Sequence, residues 1–185
     1  MNRARTSRTA ASICLAVAAI MAPGCETAPR SESDREVLRI RSQDALARFK
    51  AEDPSLSRVL GSAYGYAIFP SVGKGAVGIG GAYGRGEVWE SGRMVGFCDL
   101  RQGTIGLQLG GQEYMELIVF QTREAIDRFK SGTFEFSGQA SAVAVRAGAA
   151  ETANYENGVA VFTATKAGLM FEASIGGQKF TFEPR

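Results

Sequence analysis

The six residues Thr104-Ile105-Gly106-Leu107-Gln108-Leu109 decide the fold, because apolar side chains alternate in them with small or polar ones. Successive side chains of a β-strand point to opposite faces of a sheet, so the alternation predicts a strand with one apolar face. The stretch from Ala167 to Ile175 repeats the pattern. Similar runs, separated by turn residues such as Ser91-Gly92 and Asn157-Gly158, occupy residues 64–69, 76–83, 86–90, 93–100, 112–120, 133–137, 139–147 and 158–164. We predict a curved antiparallel β-sheet or barrel.

Three segments with a helical period accompany these strands. A capping box at Ser33 and Glu36 predicts a first helix through Lys50, and a short second helix is predicted to end at Gly61. A further helix, capped by Thr122, interrupts the strands. The predicted class is therefore α+β, with N-terminal helices and one inserted helix.

The first 24 residues have the layout of a secretion signal. Residues 10–22 form an apolar run that is too short to span a bilayer, which takes roughly 20 residues. A positive start precedes the run at Arg3, Arg5 and Arg8. The small residues before Cys25 suit a lipoprotein peptidase, which leaves an acylated cysteine at the new N-terminus. An ordinary cleavage site with an incidental cysteine is the alternative.

The residue after the cysteine bears on localisation. It is Glu26 rather than an aspartate, which favours an anchor on the periplasmic face of the outer membrane of a Gram-negative bacterium. Residues 26–32 are polar and include Pro29, so they predict a flexible tether. Of the 185 residues, 161 follow the leader, a length that suits one domain. The expected organisation is a signal peptide at 1–24, a lipidated cysteine and tether at 25–32, and a single domain at 33–185.

Composition excludes several classes of function. The leader takes three of the 21 Lys and Arg residues and none of the 19 Asp and Glu residues, so the remainder is nearly neutral. This balance gives no electrostatic basis for binding nucleic acid. The absence of histidine removes Ser–His–Asp triads, Cys–His dyads and ordinary zinc sites, so no metal or cofactor is expected. Cys98 lies in an apolar run and is predicted to be a small buried residue, with a reactive thiol as the alternative.

Short catalytic motifs are incomplete. The glycine spacing of residues 73–78 matches a dinucleotide fingerprint, but a strand-like run follows where a helix should bind the pyrophosphate. Ser71 and Lys74 have the Ser-x-x-Lys spacing of penicillin-recognising enzymes, but glycines replace the helix that should orient the lysine. Acidic residues could form a carboxylate cluster, although solvated strand faces explain them more simply: Glu113, Glu116 and Glu172. We therefore expect no enzyme activity.

Three motifs in order resemble the SYLF domain in its bacterial lipoprotein branch. They are Ala63-Tyr64-Gly65-Tyr66-Ala67-Ile68-Phe69-Pro70 with Lys74-Gly75, Gly106-Leu107-Gln108-Leu109-Gly110-Gly111-Gln112, and Thr165-Lys166-Ala167-Gly168-Leu169-Met170-Phe171-Glu172-Ala173-Ser174. The resemblance extends from about Leu38 to Phe182. In eukaryotes this family is associated with phosphoinositide membranes and, in a fungal branch, with actin filaments. The resemblance implies lipid binding rather than catalysis.

The resemblance also indicates which residues would contact a ligand. Lys74 and Lys166 match lysines of the family motifs and are the first candidates for meeting phosphate, with Arg85 and Arg93 as nearby donors on predicted turns. A solvated or hydrogen-bonded strand-end lysine is the alternative at each lysine. Further basic residues decorate the first helix and could meet anionic headgroups or simply form a solvated face: Arg35, Arg39, Arg41 and Arg48.

Two functions follow from these observations. The first is a lipid-binding module, held at a phospholipid membrane by an acyl chain on Cys25, that contacts anionic headgroups through its basic residues: Lys74, Lys166, Arg85, Arg93, Arg39 and Arg41. The second is an envelope scaffold that binds a protein partner through its sheet surface.

Overall fold

A computed structural model describes residues 27–77, 79–105, 112–136, 141–166, 173–175 and 177–185. It contains helices α1 (Glu32–Glu52), α2 (Leu56–Ser62) and α3 (Arg123–Lys130). The strands are β1 (Gly65–Val77), β2 (Ile79–Glu90), β3 (Arg93–Ile105), β4 (Gln112–Phe120), β5 (Ser141–Ala144), β6 (Val159–Thr165), β7 (Ala173–Ser174) and β8 (Gln178–Pro184). The predictions made for the leader, Cys25, Glu172 and most of the two alternating stretches (106–109 and 167–172) lie outside the described residues.

The strands form one sheet in the order β7-β5-β6-β4-β1-β2-β3-β8. Its pairs are antiparallel apart from β5 and β6, which run parallel. A parallel pair needs a long crossover connection, which residues 145–158 provide. The predicted α+β class with a curved sheet is confirmed. Within the described residues β7 and β8 do not pair with each other, so the sheet is open there rather than a closed barrel.

The concave face of the sheet holds an aromatic core. Phe69 of β1 and Phe180 of β8 have ring centroids 6.1 Å apart, although β2 and β3 separate their strands in the sheet. Phe129 of α3 lies 4.8 Å from Phe180 and 5.1 Å from Phe120. The inserted helix α3 therefore packs its apolar face against this aromatic core, and the burial of these large side chains stabilises the fold.

A second apolar cluster covers the convex face. Phe49 of α1 and Leu56 of α2 are fully buried against Ile68, Leu117 and Phe162 of the sheet. The strands β1, β4 and β6 are thus buried on both faces, which explains their nearly continuous apolar sequence. None of the helices in the described part of the chain is long and apolar enough to cross a bilayer.

Several strand boundaries differ from the prediction. β1 continues to Val77, although the sequence predicted a break between residues 69 and 76. Its pairing with β2 shifts register between Ile68 and Val72, as at a β-bulge. Arg85 consequently lies within β2 rather than on a turn. The predicted strand 133–137 is reduced to a single bridge at Glu135, and β8 is a strand that the sequence did not predict.

The segment predicted as a tether packs on the domain. The side chain of Ser31, not Ser33, caps α1 by accepting a 3.0 Å hydrogen bond from the backbone N–H of Asp34. Thr27, Ala28 and Pro29 are buried. Because two of these residues bond to β8, residues 27–29 form an ordered edge of the domain. The two bonds join the hydroxyls of Thr27 and Thr181 (3.0 Å), and the Ala28 N–H with Glu183 Oε2 (2.9 Å).

Candidate functional site

A cleft of about 510 Å³ lies between α1 and the convex face of β2 and β3. It is lined by four arginines, three glutamates and three apolar residues: Arg35, Arg39, Arg93, Arg185, Glu32, Glu36, Glu87, Trp89, Met94 and Phe97. The antiparallel register places Glu87 opposite Phe97 and Trp89 opposite Met94, so these four form its sheet wall. We call this the arginine cleft.

The helical wall follows from the spacing of α1. Arg35 and Arg39 are four residues apart and therefore share one helical face. The Arg35 guanidinium lies 5.6 Å from the centre of the Phe97 ring, and its Nε donates a 3.0 Å hydrogen bond to the carbonyl of Pro29. The ordered N-terminal edge thus helps to fix the orientation of one cleft arginine.

The four arginines differ in how far they are neutralised. Arg35 and Arg39 lie 3.9 and 4.0 Å from Glu32 and Glu36, and these pairs are largely exposed, so each contributes little. Arg93 and Arg185 are exposed and form no salt bridge with the residues that the structure describes. Two guanidinium groups at the cleft are therefore available to an anion.

A buried carboxylate lies at the floor of the arginine cleft. Glu87 is 2% exposed, and its Oε2 accepts a 3.3 Å hydrogen bond from the indole N–H of Trp89. Burial raises the pKa of Glu87, against the opposing effects of Trp89, Arg39 and Arg185. The site therefore combines a cationic rim with an acidic floor.

The cleft brings together only two of the six basic residues predicted to bind lipid. Arg39 and Arg93 line it, whereas Arg41 is exposed elsewhere on α1. Arg85 instead donates from Nε to Asp99 at 3.2 Å, a carboxylate that also accepts from the Tyr83 hydroxyl. The predicted residues thus do not form one surface.

The two predicted lysines lie on other parts of the sheet. Lys166 pairs with Glu113 at 2.5 Å, and the Ser71 hydroxyl donates to the same carboxylate. Lys74 is half-buried within β1, opposite Ala82 of β2 and Gln112 of β4. Lys166 is therefore occupied by an internal ion pair, and neither lysine belongs to the arginine cleft.

The expectation of a solvated strand face is wrong for Glu116. This side chain is fully buried on the concave face and accepts a 3.0 Å hydrogen bond from Gln178 Nε2. The reason is the curl of the sheet, which brings β8 over the face of β4 on which Glu116 lies. Glu113, three residues earlier on the strand, points to the opposite face.

Sequence reasoning missed several charged members of the cleft, among them Glu87 and Arg185. Glu87 shares one face of β2 with Arg85 and Trp89, and nothing in this pattern distinguishes a cleft floor from a solvated face. Arg185 follows a strand that was not predicted. Both depend on how α1 lies across the sheet, which local periodicity does not report.

Comparison with known proteins supports the resemblance to a family. Residues 101–184, which include the end of β3 and all of β4, α3 and β5 to β8, match the Ysc84 family, described as Las17-binding protein actin regulator. The resemblance to the SYLF family is confirmed. Beta cell expansion factor A of Aeromonas veronii is 27% identical over 151 residues, which cover 79% of this chain and 56% of that protein. The chain thus spans little more than half the length of this curated relative.

Proposed function

We propose that this SYLF domain binds anionic phospholipid headgroups through the arginine cleft, as a non-catalytic module. The carrying observation is the convergence of guanidinium groups from α1, from the start of β3 and from residue 185 beside an apolar wall. Arginine suits this task because its planar fork donates two parallel hydrogen bonds to phosphate oxygens.

Exposed apolar side chains on α1 support a membrane as the source of the headgroup. Among the described residues, Val37 and Ile40 are large apolar side chains that are 46% and 49% exposed. Val37 lies one helical turn before Arg41, and Ile40 directly precedes Arg41. Apolar residues next to arginines are typical of a surface that meets the boundary between headgroups and acyl chains.

The proposal includes an acyl anchor on Cys25 at the periplasmic face of the outer membrane. Only Glu26 separates this cysteine from Thr27, which is buried against β8. Two residue steps span at most about 7 Å, so an acylated Cys25 would hold the edge formed by residues 27–29 close to the bilayer. That edge adjoins the cleft, because Pro29 bonds Arg35.

Vesicle flotation tests headgroup binding. The mature chain with Cys25→Ser is mixed with vesicles of phosphatidylcholine alone, or with phosphatidylglycerol or cardiolipin added, at two salt concentrations. We expect salt-sensitive binding to the anionic vesicles only. The double variant Arg39→Gln/Arg93→Gln should lose most of it, whereas Arg123→Gln, an exposed arginine of α3, should not. Equal flotation of the double variant and the parent would contradict the cleft as the site.

Metabolic labelling tests the anchor separately. Cells supplied with labelled palmitate should incorporate it into the full-length chain and not into Cys25→Ser. Separation of the inner and outer membranes then tests the location. Label retained in Cys25→Ser would contradict acylation at this cysteine.

A protein partner on the sheet surface is the second candidate. Tyr83 is 46% exposed on β2, beside the charged pair formed by Arg85 and Asp99. Exposed tyrosine and arginine side chains are enriched at protein interfaces. A partner that copurifies after crosslinking, and is lost in Tyr83→Ser, would favour this candidate over lipid.

A further inference from the structure

We propose that the arginine cleft selects a headgroup that carries a primary ammonium next to its phosphate, namely a phosphoethanolamine group. Glu87 would bind the ammonium, and Arg93 and Arg185 the phosphate. The inference rests on the proposed function and names the headgroup class that the cleft prefers.

Glu87 is a buried carboxylate that few hydrogen-bond donors reach among the described residues. Its side chain is at the floor of the cleft, and the hydrogen bond from Trp89 is long, at 3.3 Å. A carboxylate offers about four acceptor positions. A buried carboxylate with few hydrogen-bond donors is destabilised, and burial raises the pKa of Glu87 although Arg39 and Arg185 act against this. An ammonium would supply both the charge and the donors.

Opposite charges lie close together in the arginine cleft. Arg39 and Arg185 both act electrostatically on Glu87, so the cationic rim and the acidic floor are neighbours. Arg93 lies on the same strand as Phe97, which is the register partner of Glu87. In phosphoethanolamine only two carbons separate the ammonium from the phosphate ester oxygen. A zwitterion of this size would place its ammonium near Glu87 and its phosphate near the arginines of the same cleft.

The cleft wall distinguishes a primary ammonium from the trimethylammonium of choline. A primary ammonium donates three hydrogen bonds, which a carboxylate accepts, whereas a trimethylammonium donates none. Choline sites rely on open aromatic faces. In this cleft one face of Trp89 is covered by Tyr66, which stacks on it at 6.1 Å with an interplanar angle of 6°. The wall therefore favours an ammonium that can donate to Glu87.

The test varies the amine while the anionic charge is held constant. Vesicles contain a fixed fraction of phosphatidylglycerol, and phosphatidylethanolamine replaces phosphatidylcholine in steps. We expect the fraction of Cys25→Ser protein that floats to rise several-fold with phosphatidylethanolamine. Glu87→Gln should lose this rise and retain the part that depends on phosphatidylglycerol. Glu52→Gln, an exposed acid at the end of α1, should behave as the parent.

The outcomes separate this inference from the proposed function. If phosphatidylglycerol supports binding but phosphatidylethanolamine and phosphatidylcholine are equivalent, the amine selectivity is wrong and headgroup binding stands. The same holds if Glu87→Gln keeps the preference for phosphatidylethanolamine. If no vesicle binds, both are wrong.

Soluble headgroups give a second measurement that needs no variant. Glycerophosphoethanolamine should compete with the vesicles for the protein, and glycerophosphocholine should not. This comparison tests the amine selectivity even if Glu87→Gln fails to fold. Equal competition by the two compounds would overturn the selectivity. Tight binding of glycerophosphoethanolamine without any effect of phosphatidylethanolamine in vesicles would overturn the membrane as its source.

Discussion

Glu116 of β4 accepts a 3.0 Å hydrogen bond from Nε2 of Gln178 in β8, although β1, β2 and β3 separate these strands in the sheet. Both side chains are fully buried. The register places Thr163 opposite Glu116 and Gln102 opposite Gln178, so four buried polar residues form a layer across the concave face. The contact defines the curl of the sheet, because it joins its fourth and last strands through the interior.

This buried layer predicts a stability that falls as pH rises. Burial raises the pKa of Glu116 to about 8, against the hydrogen bonds from Gln178 and Tyr114. The folded chain therefore keeps a proton that the unfolded chain loses near pH 4.5. The stabilising contribution is complete below that value and declines through the folded pKa, by up to about 1.4 kcal/mol per pH unit.

Glu116→Gln isolates this contribution. We expect the variant to gain stability relative to the parent as pH rises from 5 to 8, with a constant difference above pH 9. Urea unfolding at several pH values measures it, and Glu124→Gln, an exposed acid on α3, is the control. A difference that does not change with pH would show that Glu116 is ionised in the folded state.

Asp53 predicts the opposite dependence on pH. Desolvation tends to raise its pKa, but the hydrogen bonds from Ser55, Ala150 and Gly148 together outweigh it, so the pKa is lowered. The backbone N–H groups of Gly148 and Ala150 donate to it at 3.0 and 2.8 Å, which joins the β5–β6 connection to the end of α1. The stabilisation is present above the unfolded pKa of 3.8 and is lost as pH falls through the lower folded value.

Asp53→Asn should therefore destabilise the domain by about 1–3 kcal/mol at pH 7, because an amide cannot accept with both of its terminal atoms. The difference from the parent should shrink near pH 3. Urea unfolding at both pH values measures it, with the exposed Asp44→Asn as the matched control. Equal stability of Asp53→Asn and the parent at pH 7 would contradict the assigned role.

Gly96 of β3 lies in close contact with β8. A Cβ at this position would overlap the carbonyl oxygen of Glu183 and the ring of Phe182. We expect Gly96→Ala to destabilise the domain by about 1–3 kcal/mol and lower the melting temperature. Gly103→Ala on the same strand meets nothing within 4 Å and is the control. Similar melting of the two variants would contradict the pairing of β3 with β8.

Cys98 should be chemically inert in the folded domain. Its side chain is fully buried, which confirms the sequence prediction, and burial raises the pKa of the thiol well above its usual value. In the mature chain with Cys25→Ser, a thiol reagent should label Cys98 only after urea unfolds the protein. Rapid labelling under native conditions would instead indicate that β3 opens locally.

Most element types could be predicted because they depend on neighbouring residues. Thr122 caps α3 as expected and accepts from the backbone N–H of Ala125, a contact within one helical turn. The alternation of apolar residues likewise predicted β3 and β4. The boundaries of β1 were less well predicted, because glycines interrupt its pattern. The strand β8 was not predicted, because its pairing with β3 defines it.

The candidate site was harder to predict than the fold. Of its arginines, Arg39 and Arg93 were expected to meet a headgroup, but no pattern indicated that they share a cleft with Arg185. The predicted Lys166 is instead paired with Glu113. Whether a basic residue is available depends on which acid lies beside it in the folded chain, and strand register determines this.

The sequence by itself determined the α+β class, the approximate helices and strands and the buried state of Cys98, because periodicity and capping act over a few residues. Only the tertiary structure decided the arginine cleft, the acidic floor at Glu87 and the burial of Glu116. Each arises from residues far apart in the chain that the curl of the sheet and the position of α1 bring together. Two glutamates three residues apart on β4 therefore have opposite surroundings, one in an exposed ion pair and the other in the protein interior.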